Sequence, residues 1–117
     1  MKKSTIQFEV SLDNQHLPEE ISWAASDAGM DGWQPAKAIM LSVWDPNQSS
    51  TLKIDLWTKD MLVQDMKIFM HQTMLSMASM LEKSANESAM AGDMRDFCDY
   101  FATKMNLTQD GNTGRNS

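Results

Sequence analysis

The strongest constraint on the fold is a pair of alternating runs within residues 36–61. Apolar residues occupy every second position in both runs: Ile39, Leu41 and Val43, then Leu52, Ile54 and Leu56. This period of two is typical of strands that bury one face. Pro46 and Asn47 begin the break between the runs. The stretch is therefore predicted to form two strands joined by a tight turn, followed by the start of a helix.

The register of this hairpin follows if both apolar sets face the core. A slip of one residue would turn the apolar set of one strand to solvent. Val43 is therefore predicted to lie opposite either Leu52 or Ile54.

The other face of the hairpin carries Met40, Trp44 and Trp57 where polar residues are expected. One interpretation is that a loop, the N-terminal segment or a helix covers these side chains. The other is an interface, because exposed apolar patches of a few hundred Å² usually mark one. We expect the three side chains to cluster, and we expect a protein partner or a second copy of the chain to cover them.

The remaining chain adds two strands before the hairpin and two helices after it. Alternation predicts strands over residues 4–13 and 20–25, and the composition of residues 26–35 predicts a loop. Helical periodicity predicts one helix over residues 62–84 and a second that ends near residue 105. Asn86 or Ser88 is expected to cap the second helix.

These elements predict an α+β fold, in which a four-stranded antiparallel sheet precedes two C-terminal helices packed on one face. Residues 1–107 are predicted to form a single domain, and residues 108–117 a disordered tail. The residues expected to be almost fully buried are Phe8, Leu41, Ile54, Phe69 and Phe97.

Charge and cysteine content exclude several classes of protein. The net charge of −6 does not suit the phosphate backbone of nucleic acids. Cys98 is the only cysteine, which excludes an internal disulfide and a thiolate metal cluster. The sequence contains neither a secretory signal nor an apolar run of about 20 residues that would span a membrane. We therefore expect a cytoplasmic protein without a cofactor.

No catalytic signature is visible. His71 has no second histidine or cysteine at metal-ligand spacing. Asp93, Asp96 and Asp99 form a loose acidic stripe, which on a helix is typical of a solvated face. We therefore expect no enzyme, no metal site and no small-molecule substrate.

Twelve methionines are many for 117 residues, and six of them lie within residues 61–80. Methionine fills irregular cores and also serves adaptable binding surfaces. Its helical spacing here favours the core, although the apolar arc is wide enough to pack against a second subunit as well.

Three segments carry a family resemblance: AKAIMLSVWD at 36–45, LKIDLWTKDM at 52–61 and MRDFCDYFA at 94–102. The chain resembles the gliding motility-associated GldC family of the Bacteroidetes over about residues 1–107. The resemblance implies a small cytoplasmic protein linked to gliding, the surface movement tied to the type IX secretion machinery. It implies no catalytic residue and no ligand.

Two functional hypotheses are favoured over a third, a small enzyme that would use Asp96 and Asp99 together with His71. The first is a non-enzymatic interaction protein that supports gliding or secretion through Met40, Trp44 and Trp57. The alternative is a chaperone-like holdase that resembles the export chaperone SecB in charge and element order. That second likeness is architectural only.

Overall fold

The structure, a computed structural model, describes residues 2–27, 29 and 32–107. The chain divides into two compact units, Met1–Met61 and Leu62–Ser117. The regular elements of the first unit are strands, and those of the second are two helices. The predicted α+β class is therefore confirmed.

The strands of the first unit form two antiparallel sheets. The strands are β1 (Ile6–Leu12), β2 (Pro18–Ala25), β3 (Gln34–Ala36), β4 (Ala38–Asp45) and β5 (Ser50–Trp57). One sheet has the order β1-β2-β3, and the other pairs β4 with β5. The prediction of a single four-stranded sheet is therefore wrong.

The short strand β3 is the element that sequence periodicity missed. It pairs with β2 through Ile21 opposite Ala36, Ser22 opposite Pro35 and Trp23 opposite Gln34. Three residues are too few to show alternation, and a proline within a run argues against a strand. Lys37 separates β3 from β4, and its carbonyl accepts a hydrogen bond of 2.8 Å from the Thr58 amide. The division into two sheets is therefore a tertiary feature without a local signal.

The predicted register of the β4–β5 hairpin is confirmed. Val43 lies opposite Leu52, and Leu41 lies opposite Ile54. The Asp45 carboxylate accepts the Asn47 amide at 3.0 Å within the turn. The alternation of apolar residues was sufficient to restrict the pairing of β4 with β5, because directly opposed residues share a face of the sheet.

None of the five residues predicted to be almost fully buried is so in the structure. Phe8, Ile54 and Phe97 are 43%, 52% and 52% exposed, and Leu41 and Phe69 are half-buried. Alternation shows which residues share a face, but burial needs a second layer of structure over that face. The packing of the helices on one face of the sheet and the single domain over 1–107 stay predictions. The predicted tail at 108–117 lies outside the described residues.

The second unit is a helical hairpin of α1 (Val63–Ala85) and α2 (Ser88–Lys104). Asn86 adopts the left-handed conformation with φ of 57°, and its amide donates to the Glu82 carbonyl at 3.0 Å. A left-handed asparagine commonly ends a helix in this way. The predicted capping of the second helix by Asn86 or Ser88 is wrong, since Glu87 occupies that position without a side-chain cap bond.

Small side chains form the contact between the two helices. The buried residues of the hairpin are Ala78, Ala91, Cys98 and Ala102. The Arg95 guanidinium donates to the Glu82 carboxylate at 2.8 Å. The His71 and Phe101 rings stack with centroids 6.2 Å apart. The Glu82–Arg95 pair lies close to the turn between the helices, and the His71–Phe101 pair lies far from it. Because each pair joins residues at similar distances from the turn, the helices run antiparallel.

We expect Ala91→Leu to destabilise the helical hairpin by about 1–3 kcal/mol, because the larger side chain overpacks a fully buried site. Urea unfolding followed by circular dichroism measures this change. Ala89→Leu is the matched control, since Ala89 is exposed on the same helix. Equal stability of the two variants would show that small side chains are not needed at the contact between the helices.

We expect Glu82→Gln to reduce the acid sensitivity of the hairpin. The Arg95 guanidinium lowers the pKa of the Glu82 carboxyl below its ordinary value of 4.5. The ion pair therefore stabilises the folded state above that value, and this stabilisation is lost as the pH falls through the lowered pKa. Unfolding by urea from about pH 6 down to about pH 3 should show a shallower decline for the variant than for the wild type.

Glu9→Gln is the control for this pH series, because it removes an exposed carboxylate from the first unit. Parallel pH profiles for the wild type and Glu82→Gln would contradict the assignment of the pKa shift to this ion pair.

Candidate functional site

The β4–β5 register places Met40, Trp44 and Trp57 on one face of the hairpin. Met40 lies opposite Asp55, Trp44 opposite Thr51, and Trp57 opposite Ala38. Trp44 is 62% exposed and Trp57 is 57% exposed, whereas Met40 is half-buried. We call Met40, Trp44 and Trp57 the tryptophan face. Within the first unit, no described residue covers these two rings, and their covering by a helix stays a prediction.

The tryptophan face is elongated, and its three residues do not form one cluster. Trp57 is the diagonal neighbour of Met40, a relation that separates the two by about 7–8 Å. Trp44 lies about 20 Å along the strand from Ala38, at roughly 3.4 Å per residue. The predicted cluster therefore holds for Met40 and Trp57 and is wrong for Trp44.

Polar side chains occupy the middle of the tryptophan face. Lys53 donates to the Ser42 hydroxyl at 3.2 Å and pairs with the Asp55 carboxylate at 3.0 Å. Both charged side chains are about half exposed. An exposed ion pair of this kind contributes little to stability and rearranges easily. The face therefore offers an apolar group at each end and adaptable charges between them.

The opposite face of the same hairpin is also left uncovered by the rest of the first unit. Val43, Leu52 and Ile54 are each about half exposed. Apolar residues at both odd and even positions of β4 are the signal for a strand with two apolar faces. The sequence prediction covers only one of these faces, the one that carries Met40, Trp44 and Trp57.

The residues that the sequence offered for chemistry lie on the two helices. Asp93, Asp96 and Asp99 are exposed on α2, and the His71 ring stacks on Phe101. Burial, together with the Asp99 charge, raises the pKa of the Cys98 thiol. A thiol held in its neutral form is a poor nucleophile and a poor metal ligand.

Two further features are absent from the described residues. Among residues 2–27, 29 and 32–107, no three or more His, Cys, Asp or Glu side chains are grouped as metal ligands would be. Within the same part of the chain, neither helix has the length and apolar character needed to cross a membrane.

Comparisons with known proteins identify the family. A family model described as gliding motility-associated protein GldC-like matches residues 18–107, which include four of the strands and both helices. No curated protein and no solved structure matches the chain. The family match covers well over half of the 117 residues. The chain therefore belongs to the GldC-like family of gliding motility-associated proteins.

Proposed function

We propose that this chain is a non-enzymatic, cytoplasmic accessory protein that supports gliding motility or the linked type IX secretion machinery. It acts by binding another protein through the tryptophan face. The observation that carries this proposal is the exposure of Trp44 and Trp57 by more than half on one face of a hairpin. Family membership supplies the link to gliding.

The energetic argument rests on the two indole rings. A fully buried aromatic side chain removes about 150–250 Å² from water. At about 25 cal/mol per Å², covering the exposed parts of both rings contributes several kcal/mol to binding. Tryptophan is also among the residues enriched at the energetic centres of protein interfaces. The two rings are therefore the expected anchors of a complex.

The geometry of the face fits a protein partner. Its anchors lie about 20 Å apart along the strand. A standard interface buries about 800 Å² on each partner, a patch wide enough to include both rings. Lys53 and Asp55 lie between the anchors and offer one charge of each sign for recognition. Charges in such positions contribute to specificity more than to affinity.

The state of the cysteine supports the cytoplasmic part of the proposal, and the composition of the hairpin surface supports the non-enzymatic part. The one cysteine is buried, and burial raises its pKa, as suits a thiol that stays reduced and inert. The exposed side chains of the hairpin are apolar anchors with one ion pair, a composition suited to binding.

A SecB-like holdase is the second candidate function, and a specific observation favours it. Both faces of the β4–β5 hairpin expose apolar side chains, as do the methionine-rich helices. Broad, adaptable apolar surface suits the binding of many unfolded chains. A holdase would suppress the aggregation of unrelated unfolded proteins, whereas a dedicated accessory protein would not.

We expect Trp44→Ser/Trp57→Ser to fold normally and to abolish function. The exposed rings contribute little to the folded chain but carry the proposed binding energy. The measurement is gliding speed in a gliding bacterium that lacks its own protein of this family and expresses the variant. Circular dichroism checks the fold. Normal gliding by the folded double variant would overturn the proposal.

Leu12→Ser/Val63→Ser is the matched control, because both residues are exposed and lie outside the tryptophan face. Light scattering of the wild type and the double tryptophan variant distinguishes the occupants of the face. A wild-type dimer that becomes a monomer in the variant identifies a second copy as the partner. Suppressed aggregation of an unrelated unfolded protein by the wild type alone would favour the holdase.

A further inference from the structure

A second apolar surface lies on the helical hairpin, within the unit Leu62–Ser117. It is a groove of about 330 Å³ between α1 and α2. Its principal lining residues are Met74, Met77, Met90, Asp93, Met94 and Phe97. We call it the methionine groove. None of its residues belongs to the tryptophan face.

The groove exists because the helices meet through small side chains. Ala91 and Cys98 lie buried at the seam, and Cys98 also lines the groove. Close approach of the helices leaves no room for larger side chains at the seam, so these side chains stand beside it. Met77 and Met90 are each 53% exposed, and Phe97 is 52% exposed. The walls of the groove are therefore large apolar groups in contact with solvent.

The chemistry of the walls suits an adaptable apolar occupant. Methionine is flexible and polarisable, and it repacks around partners of different shape. A volume of about 330 Å³ is at the lower end of the range for small-molecule pockets. Because the walls are half exposed, the groove does not enclose a ligand. It instead admits side chains that project from an element lying across it, as in the docking of a helix into a groove.

The charged residues beside the groove indicate which charge a docked partner element should carry. Asp93 lines the groove, and its i+3 neighbour Asp96 lies next to it on the exposed surface of α2, whereas Asp99 continues the acidic stripe away from the groove. The ion pairs formed among the described residues include none of these three carboxylates. Arg95, the cation nearest to them in sequence, is bound to Glu82. A partner that brings lysine or arginine to this edge gains opposite-charge contacts.

We propose that the methionine groove binds an amphipathic helix of a protein partner, whose apolar face enters the groove and whose flanks carry lysine or arginine. The apolar stripe meets the methionines and Phe97. The basic flank meets Asp93 and Asp96. This surface and its partner class are additional to the tryptophan face, and neither depends on it.

The test uses the full chain and a synthetic peptide of about 18 leucine and lysine residues, placed so that leucine forms one helical face. A second peptide has glutamate in place of lysine. Methyl-¹³C labelling of the methionines gives one signal per site, and Met→Leu substitutions assign them. We expect the lysine peptide to shift the signals of Met74, Met77, Met90 and Met94 and to leave Met40 unchanged. The glutamate peptide should cause no shift.

Variants then test each part of the groove. Met77→Ser/Phe97→Ser should weaken binding of the lysine peptide by about tenfold or more, a loss of about 1.4 kcal/mol. Asp93→Asn/Asp96→Asn should also weaken it and should reduce its dependence on salt. If the apolar double variant fails to fold, the carboxylate variant still tests the proposal, because its changes lie on exposed positions.

Two matched controls separate the groove from general attraction to an acidic chain. Val63→Ser/Met80→Ser removes exposed apolar groups elsewhere on α1, and Glu9→Gln/Glu20→Gln removes two exposed carboxylates from the first unit. Both should bind the lysine peptide as the wild type does. Equal weakening by a control and its groove variant, or shifts confined to methionines outside the groove, would overturn the proposal.

Sedimentation without peptide tests the competing occupant. A wild-type dimer that Met77→Ser/Phe97→Ser converts to a monomer would show that a second copy fills the groove, and would overturn the proposal of a basic partner helix. A wild-type monomer together with the expected peptide shifts would support it.

Discussion

The structure depends on burial by small side chains. Among the residues that the structure describes, those fully or nearly fully buried are Ile21, Thr58, Ala78, Ala91, Cys98 and Ala102. Small groups allow two backbones to approach closely, but each contributes little apolar area. Many large apolar side chains of the described residues, among them Trp44, Trp57 and Phe97, are therefore more than half exposed.

This distribution explains why the two proposed surfaces differ in character. On the β4–β5 hairpin, the pleat turns alternate side chains to opposite faces, so Trp44 and Trp57 stand as rigid anchors on one of them. On the helical hairpin, the small seam leaves flexible methionines along a groove with carboxylates at its edge. Rigid aromatic anchors favour a partner of defined shape, whereas methionines tolerate variation. The two surfaces proposed for this member of the GldC-like family therefore differ, since one would favour specificity and the other adaptability.

Sequence reasoning located the elements well where the periodic signal was long. The two helices begin and end within a few residues of their predicted bounds, and Val43 lies opposite Leu52 as parity allowed. It failed for β3, whose three residues carry no period and include Pro35. It also failed for the cap of α2, because an asparagine between two helices can end the first or begin the second. Only the observed left-handed backbone of Asn86 decides between these roles.

By itself, the sequence determined the α+β order, the faces of the strands, the register of the hairpin and the residues that carry the family resemblance. These follow from local periodicity, which is a property of neighbouring positions along the chain. Only the tertiary structure decided which apolar residues are buried, how the strands divide into two sheets, and that Trp44 and Trp57 lie at opposite ends of one face. Burial and spacing depend on which elements pack together, and that choice involves residues far apart in sequence.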